Sequence, residues 1–145
     1  MMEKIALGSD HAGYEKKAVV IEYLKELGYK IKDFGTYSEE SVDYPDFIHP
    51  VATSIENGTY DLGVIFCGSA NGASMTANKH QGIRAALSWI PEIARLGREH
   101  NNANIVAIPA RYVSDKEAIA IVDAFLNAKF EGGRHARRAD KIGLK

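Results

Sequence analysis

Leu62-Gly63-Val64-Ile65-Phe66-Cys67-Gly68-Ser69-Ala70-Asn71-Gly72-Ala73-Ser74 is the stretch that decides the fold. An apolar run of this length, followed by glycines and other small residues, reads as a buried strand ending at a tight turn into a helix. Such a turn presents backbone N–H groups and the positive end of a helix dipole, which together hold anions. Cys67, the one cysteine of the chain, stands at the junction. The same field favours a thiolate over a thiol and would make Cys67 a usable base. On position alone, a small buried residue capping a strand is an equally good reading, because free cysteine is commonly buried.

Outward from this stretch the pattern alternates. Residues 4–8 read as a first strand and 9–13 as a turn. A helix follows over about 14–27, with Val19, Val20, Tyr23, Leu24 and Leu27 at helical spacing and Gly28 as its stop. A strand at 30–34 and a polar loop lead to Pro45, in the first turn of a second helix that carries Phe47, Ile48, Val51 and Ile55. Beyond the Cys67 turn come a short helix to about residue 79, a fourth strand at 83–89, a helix at 91–100 and a fifth strand at 105–108. The last long helix, 115–126, is capped by Ser114 and turns Ala118, Ile119, Ile121, Val122 and Phe125 inward. Five strands separated by helices predict an α/β fold with a parallel sheet covered on both faces. In such sheets ligands bind beyond the carboxyl ends of the strands. That rule makes neighbours of Asp10-His11, Cys67-Gly68-Ser69 and the loop after the fourth strand.

Composition sets the bounds. The 145 residues suit a single domain, with 46% hydrophobic and 26% charged residues, and the net charge of −1 argues against a general affinity for nucleic acid or membrane. No apolar stretch approaches the roughly 20 residues needed to span a bilayer, and the N-terminus has no signal-peptide core. One cysteine makes no intrachain disulfide, which fits a reducing compartment. A cytoplasmic protein is expected.

Four constellations carry chemistry. Ser9-Asp10-His11-Ala12-Gly13 ends the first strand, where a histidine can donate to a phosphate and an aspartate can accept from a sugar hydroxyl; an ordinary helix cap is the plainer reading. The turn after Cys67 lacks a P-loop lysine and the dinucleotide glycine spacing, so nucleotide is disfavoured. Its N–H cradle beside a base suits removal of a carbon-bound proton with stabilisation of the resulting oxyanion. Arg98-Glu99-His100-Asn101-Asn102 reads, by itself, as a charged helix end. In the tail, Arg134 and Arg138 lie four apart, so a helix puts both guanidiniums on one side, matched to a phosphate dianion. Without overall basic charge or interleaved aromatics, a small phosphorylated ligand ranks above nucleic acid. His49, His80 and His135 show no ligand spacing, and one cysteine excludes a cysteine-based zinc site within one chain, so no metal is expected.

Taken together, Ser9-Asp10-His11-Ala12-Gly13, Asp33-Phe34-Gly35, Val42-Asp43-Tyr44-Pro45, Cys67-Gly68-Ser69, Ala77-Asn78-Lys79, Gly82-Ile83-Arg84-Ala85-Ala86, Arg98-Glu99-His100-Asn101 and Gly132-Gly133-Arg134-His135-Ala136-Arg137-Arg138 resemble, in order, the ribose-5-phosphate isomerase B family. That family also includes allose- and galactose-6-phosphate isomerases. The resemblance implies a Rossmann-like three-layer α/β/α sandwich with a five-stranded parallel sheet, out of simple doubly-wound order at its fourth and fifth strands. It implies one domain over residues 1–145, with about 130–145 contributing to a phosphate site. It further implies aldose–ketose isomerisation without cofactor or metal, in a homodimer or tetramer whose active sites are shared between subunits.

The resemblance also implies roles. Cys67 is the base, and Ser69 with the N–H groups of Gly68, Ala70, Asn71 and Gly72 holds the oxyanion. His100, from the neighbouring subunit, opens the sugar ring beside Asn101. Asp10 and Tyr44 contact the sugar; His11, Arg134 and Arg138 grip the phosphate, joined by Arg111 across the interface. Some relatives replace the cysteine by a glutamate after the Gly-Asn-Gly turn; Ala73 occupies that position here, which leaves Cys67. Ala70 departs from the family's usual glycine. At positive φ its Cβ would cost on the order of 1 kcal/mol or tilt an N–H out of the cradle. Trp89 reads more readily as a core aromatic than as a cleft wall. The rivals to a pentose isomerase are a hexose 6-phosphate isomerase and a non-catalytic phosphosugar-binding module. The complete residue set in one chain favours a homo-oligomer acting on a pentose.

Overall fold

The computed structural model describes residues 2–144. Strand β1 (Lys4–Ser9) passes through a 3-10 turn at His11–Gly13 into α1 (Tyr14–Glu26), followed by β2 (Lys30–Asp33) and α2 (Pro45–Glu56). Then come β3 (Leu62–Cys67), α3 (Asn71–Asn78), β4 (Ala85–Leu87), α4 (Pro91–Asn101), β5 (Ile105–Pro109), α5 (Asp115–Asn127) and a short α6 (Arg134–Ala139). All pairings are parallel, in the order β2-β1-β3-β5-β4. The five-stranded parallel sheet and the exchange of the last two strands are both as expected.

Strand composition explains the exchange. Every residue of β5 is buried, whereas β4 is three residues long and only half-buried. The fully apolar strand takes the interior place beside β3, and the short one becomes the edge. The expected strand at 83–89 forms only over Ala85–Leu87. Asn78 clamps its outer side: the Ala85 N–H donates to Asn78 Oδ1 at 2.8 Å, and Asn78 Nδ2 donates to the Ala85 carbonyl at 3.1 Å.

Side chains alternate across the sheet and build two cores. Ile5, Leu7, Val64, Phe66, Val106 and Ile108 face α1, α4 and α5, where Val20, Leu24, Ala94, Ile121 and Phe125 pack on them. Ala6, Ile65, Cys67, Ile105 and Ala107 face α2 and α3, against Ile48, Val51, Ala73 and Ala77. Cys67 thus belongs to the thinner layer, roofed by small residues. The buried stripe of α1 is Lys17, Val20, Ile21 and Leu24, while Leu27 is 45% exposed. A lysine therefore occupies a position that reads as polar in sequence. Its Nζ lies 2.6 Å from Asp33 Oδ1 and 2.6 Å from the Thr36 carbonyl.

The Ser114 cap forms as a full capping box: Glu117 N–H donates to Ser114 Oγ at 3.0 Å, and Ser114 N–H to Glu117 Oε1 at 2.9 Å. Trp89 is 52% exposed, not a core residue, because β4 ends before it. Among the described residues no helix is long and apolar enough to cross a membrane.

Candidate active site

The register brings the site together. Ser9 pairs with Phe66, and Cys67 pairs with Pro109, so Asp10, Cys67 and the chain toward Arg111 leave the sheet at one edge. Gly13 makes the approach possible: a Cβ there would lie 2.5 Å from that of Phe66. Asp10 is buried and its carboxylate accepts from the Gly13 N–H at 3.1 Å. His11 Nδ1 accepts from the Val42 N–H at 3.2 Å, which leaves Nε2 as the ring's donor.

Ala70 enters α3 at φ +66°, in the left-handed region. The conformation that favours glycine is therefore occupied by an alanine, at a cost of about 1 kcal/mol or more. The N–H is not lost from the cradle. Backbone N–H groups of Ala73, Ala70 and Gly72 lie near enough to the Cys67 sulfur to favour its anion. Ala73 thus supplies a donor that sequence reading did not assign.

Burial pushes the Cys67 thiol above the ordinary cysteine value; the three N–H groups pull it down and the Asp10 carboxylate pushes it further up. Burial wins. The expectation of a favoured thiolate is thereby corrected: a helix terminus stabilises the anion, but a cysteine only 5% exposed loses more in hydration than three amide donors return. Ser69 is exposed, and its Oγ accepts from Asn71 Nδ2 at 3.0 Å.

Two further residues lie over the turn. A Cβ on Gly72 would fall 2.5 Å from the Tyr44 ring and 2.9 Å from its hydroxyl, so Tyr44 rests on the backbone of α3's first turn. A Cβ on Gly68 would meet Arg111 Nη1 at 3.3 Å, which puts Arg111 of the same chain over the Cys67 turn.

The remaining candidates lie elsewhere. Helix α4 runs back against the strands, and Asn104, just beyond it, accepts from the Gly63 N–H at the start of β3. His100 and Asn101 therefore sit at the amino edge of the sheet, a strand length of about 20 Å from Cys67. The tail follows them there. The Glu131 N–H donates to the Glu99 carbonyl at 3.0 Å, and the His100 and His135 rings stack at 4.3 Å with 3° between their planes. Arg134 and Arg138 are exposed on α6, in the same corner. Within one chain the structure unites Asp10, His11, Tyr44, Cys67–Gly72 and Arg111, and separately His100, Asn101, Arg134 and Arg138.

A polarisable nucleophile beneath convergent amide donors, at the carboxyl edge of a parallel sheet, is the equipment of an α/β enzyme that moves a proton to and from carbon. The chain belongs to the ribose/galactose isomerase family, whose family model matches residues 5–142. It is 43% identical over 141 residues to ribose-5-phosphate isomerase B of Escherichia coli, covering 97% of this chain and 95% of that one. A crystal structure of a ribose 5-phosphate isomerase from Thermotoga maritima superposes with a TM-score of 0.96 at 50% identity, covering 99% of both chains. That of ribose-5-phosphate isomerase B from Mycoplasma genitalium with bound ribulose-5-phosphate gives 0.92 at 44% identity, over 98% of this chain and 95% of that one. The family read from the motifs is thereby established.

Lys17 and Glu131 escaped the sequence reading. Lys17 lies three before Val20 and seven before Leu24, so it falls on the apolar stripe and that spacing was the available signal. Nothing in the spacing of Glu131 and His135 reveals that they meet His100.

Proposed function

We propose that this chain interconverts ribose 5-phosphate and ribulose 5-phosphate, an aldose–ketose isomerisation through an enediolate. The observation that carries the reading is the cradle of Ala70, Gly72 and Ala73 N–H groups around Cys67, flanked by Asp10, Tyr44 and Arg111. The thiolate of Cys67 takes the proton from C2 of the open aldose. Electrons of that C–H bond form the C1–C2 double bond, and the carbonyl oxygen on C1 becomes the oxyanion. Amide donors of the turn and Ser69 hold this charge. Returning the proton to C1, with transfer of the O2 proton to O1, completes the ketose. No redox partner or metal is consumed.

Ring opening needs His100, with Asn101 beside it, and the phosphate needs Arg134 and Arg138 with His11. Since His100, Arg134 and Arg138 lie a strand length from Cys67 of their own chain, they act on the Cys67 set of a second copy. A two-fold pairing then yields two equal composite sites. Met75, Trp89, Ile90 and Tyr112, between 40% and 74% exposed, support a covered face. Arg111 approaches the phosphate from the Cys67 side rather than with the arginines of α6. The test is ketose formation from ribose 5-phosphate and allose 6-phosphate side by side, with Cys67→Ala as control. Cysteine-dependent turnover faster on the pentose supports the reading; turnover surviving Cys67→Ala at near-full rate overturns the assigned base.

A further inference from the structure

His100 lies about thirty residues before Glu131 and His135, yet the three offer one ligand atom each within 4.8 Å of one another. Both ring Nε2 atoms face the same carboxylate oxygen, at 3.7 Å for His100 and 3.4 Å for His135. Neither distance is a hydrogen bond, so the three ligand atoms surround one point without spending themselves on each other, and one imidazole has only to turn out of the parallel stack to aim its lone pair there. Their supports are fixed: His100 by α4, His135 by α6, and Glu131 by its N–H bond to the Glu99 carbonyl.

A second histidine cluster provides the contrast. His49 Nδ1 and His80 Nε2 are 2.7 Å apart, His80 Nδ1 is 2.8 Å from Glu56 Oε1, and Glu56 Oε2 accepts the Gly82 N–H at 2.9 Å. Every facing atom there already has a partner, and the cluster is a hydrogen-bonded tie between α2 and the end of α3. The His100 cluster has no such closure.

We infer that His100, Glu131 and His135 form a binding site for a divalent transition-metal ion of the zinc class. Two imidazole nitrogens and one carboxylate oxygen suit zinc and disfavour calcium or magnesium, which take oxygen ligands. Bonds of about 2.0–2.2 Å require the three atoms to close in and one ring to rotate out of the stack, and a three-ligand set leaves a fourth position for water. The metal would occupy the His100 nitrogen and so block ring opening. Binding stands on the geometry alone; inhibition rests on the role assigned to His100 above.

The experiment is calorimetric titration of the chelator-stripped full chain with Zn²⁺, together with turnover of ribose 5-phosphate across the same metal range. One ion per chain is expected, with affinity falling about tenfold or more in Glu131→Gln and in His135→Gln, and unchanged in His49→Gln and Cys67→Ala. Ca²⁺ should not compete. Circular dichroism establishes that each variant is folded. Zn²⁺ binding undiminished in both Glu131→Gln and His135→Gln, or no binding by the wild-type chain, overturns the site. Binding at the cluster without loss of turnover upholds the site and removes His100 from ring opening.

Discussion

Tyr44 rests on Gly72 so closely that even a methyl group at that position would stand 2.5 Å from its ring. The loop before α2 and the first turn of α3 are thereby locked in one arrangement, with the Gly72 N–H directed toward Cys67. Gly72→Ala should displace the ring and tilt the cradle. A misplacement on the order of 1 Å commonly costs about 10²-fold, so kcat/KM for ribose 5-phosphate should fall by that order. Tyr44→Ala in the Gly72→Ala background should recover part of the loss, since the clash is then gone. Steady-state kinetics on the two variants and the double variant check this; an additive double variant would separate the two residues.

Burial shifts the Cys67 thiol upward, so the thiolate is scarcer at any given pH than for an exposed cysteine. The shift is upward, and the reactive form accordingly grows as pH rises. The ascending limb of kcat/KM should therefore extend past the ordinary cysteine range. Iodoacetamide alkylation of Cys67 should follow the same curve. A limb already flat near neutrality would contradict dominance by burial.

Ala70→Gly should leave stability within about 1 kcal/mol of the parent. Relief of left-handed strain gains about 1–2 kcal/mol. Loss of a buried methyl costs about 0.8 kcal/mol, and the freer unfolded chain about 0.4–1 kcal/mol. Turnover should persist, since the Ala70 N–H is already among the groups that favour the Cys67 anion. Thermal melts with kinetics test both halves, and a drop of several kcal/mol would mean that the methyl fills space nothing else can.

Mixing two inactive variants offers a direct test of site sharing. If each site takes Cys67 from one chain and His100 from another, Cys67→Ala and His100→Ala subunits exchanged at equal amounts should regain about one quarter of wild-type sites. No recovery after demonstrated exchange would place both residues in one chain's site and contradict the geometry.

Lys17→Met should destabilise the fold by about 2–4 kcal/mol, because Asp33 and the Thr36 carbonyl lose their buried partner. Urea denaturation measures it. The effect should reach the site, since the Thr36 N–H donates to the Ser9 carbonyl at 2.8 Å, one residue before Asp10.

Much of this molecule is legible in its sequence because burial writes local signals. The run at Leu62–Cys67 announced a buried strand, and Ser114 announced the start of α5. Asp10, Cys67 and the turn after it were found from strand ends alone. What remained hidden depends on contacts between distant segments. The order of β4 and β5 follows from comparing their burial across the sheet. The upward shift of Cys67 follows from how completely α3 roofs the sulfur, which outweighs the helix field that the sequence advertises. The meeting of His100, Glu131 and His135 is a packing outcome of α6 on α4, and no spacing encodes it.

The clamp of Asn78 on Ala85 has a wider meaning. A side-chain amide there imitates the backbone of a neighbouring strand, using up the first outward donor and acceptor of the sheet's rim. A sixth strand arriving from another molecule would find that rung already taken. Growth of copies into a continuous ribbon is thereby opposed at the first rung of this border by a single residue.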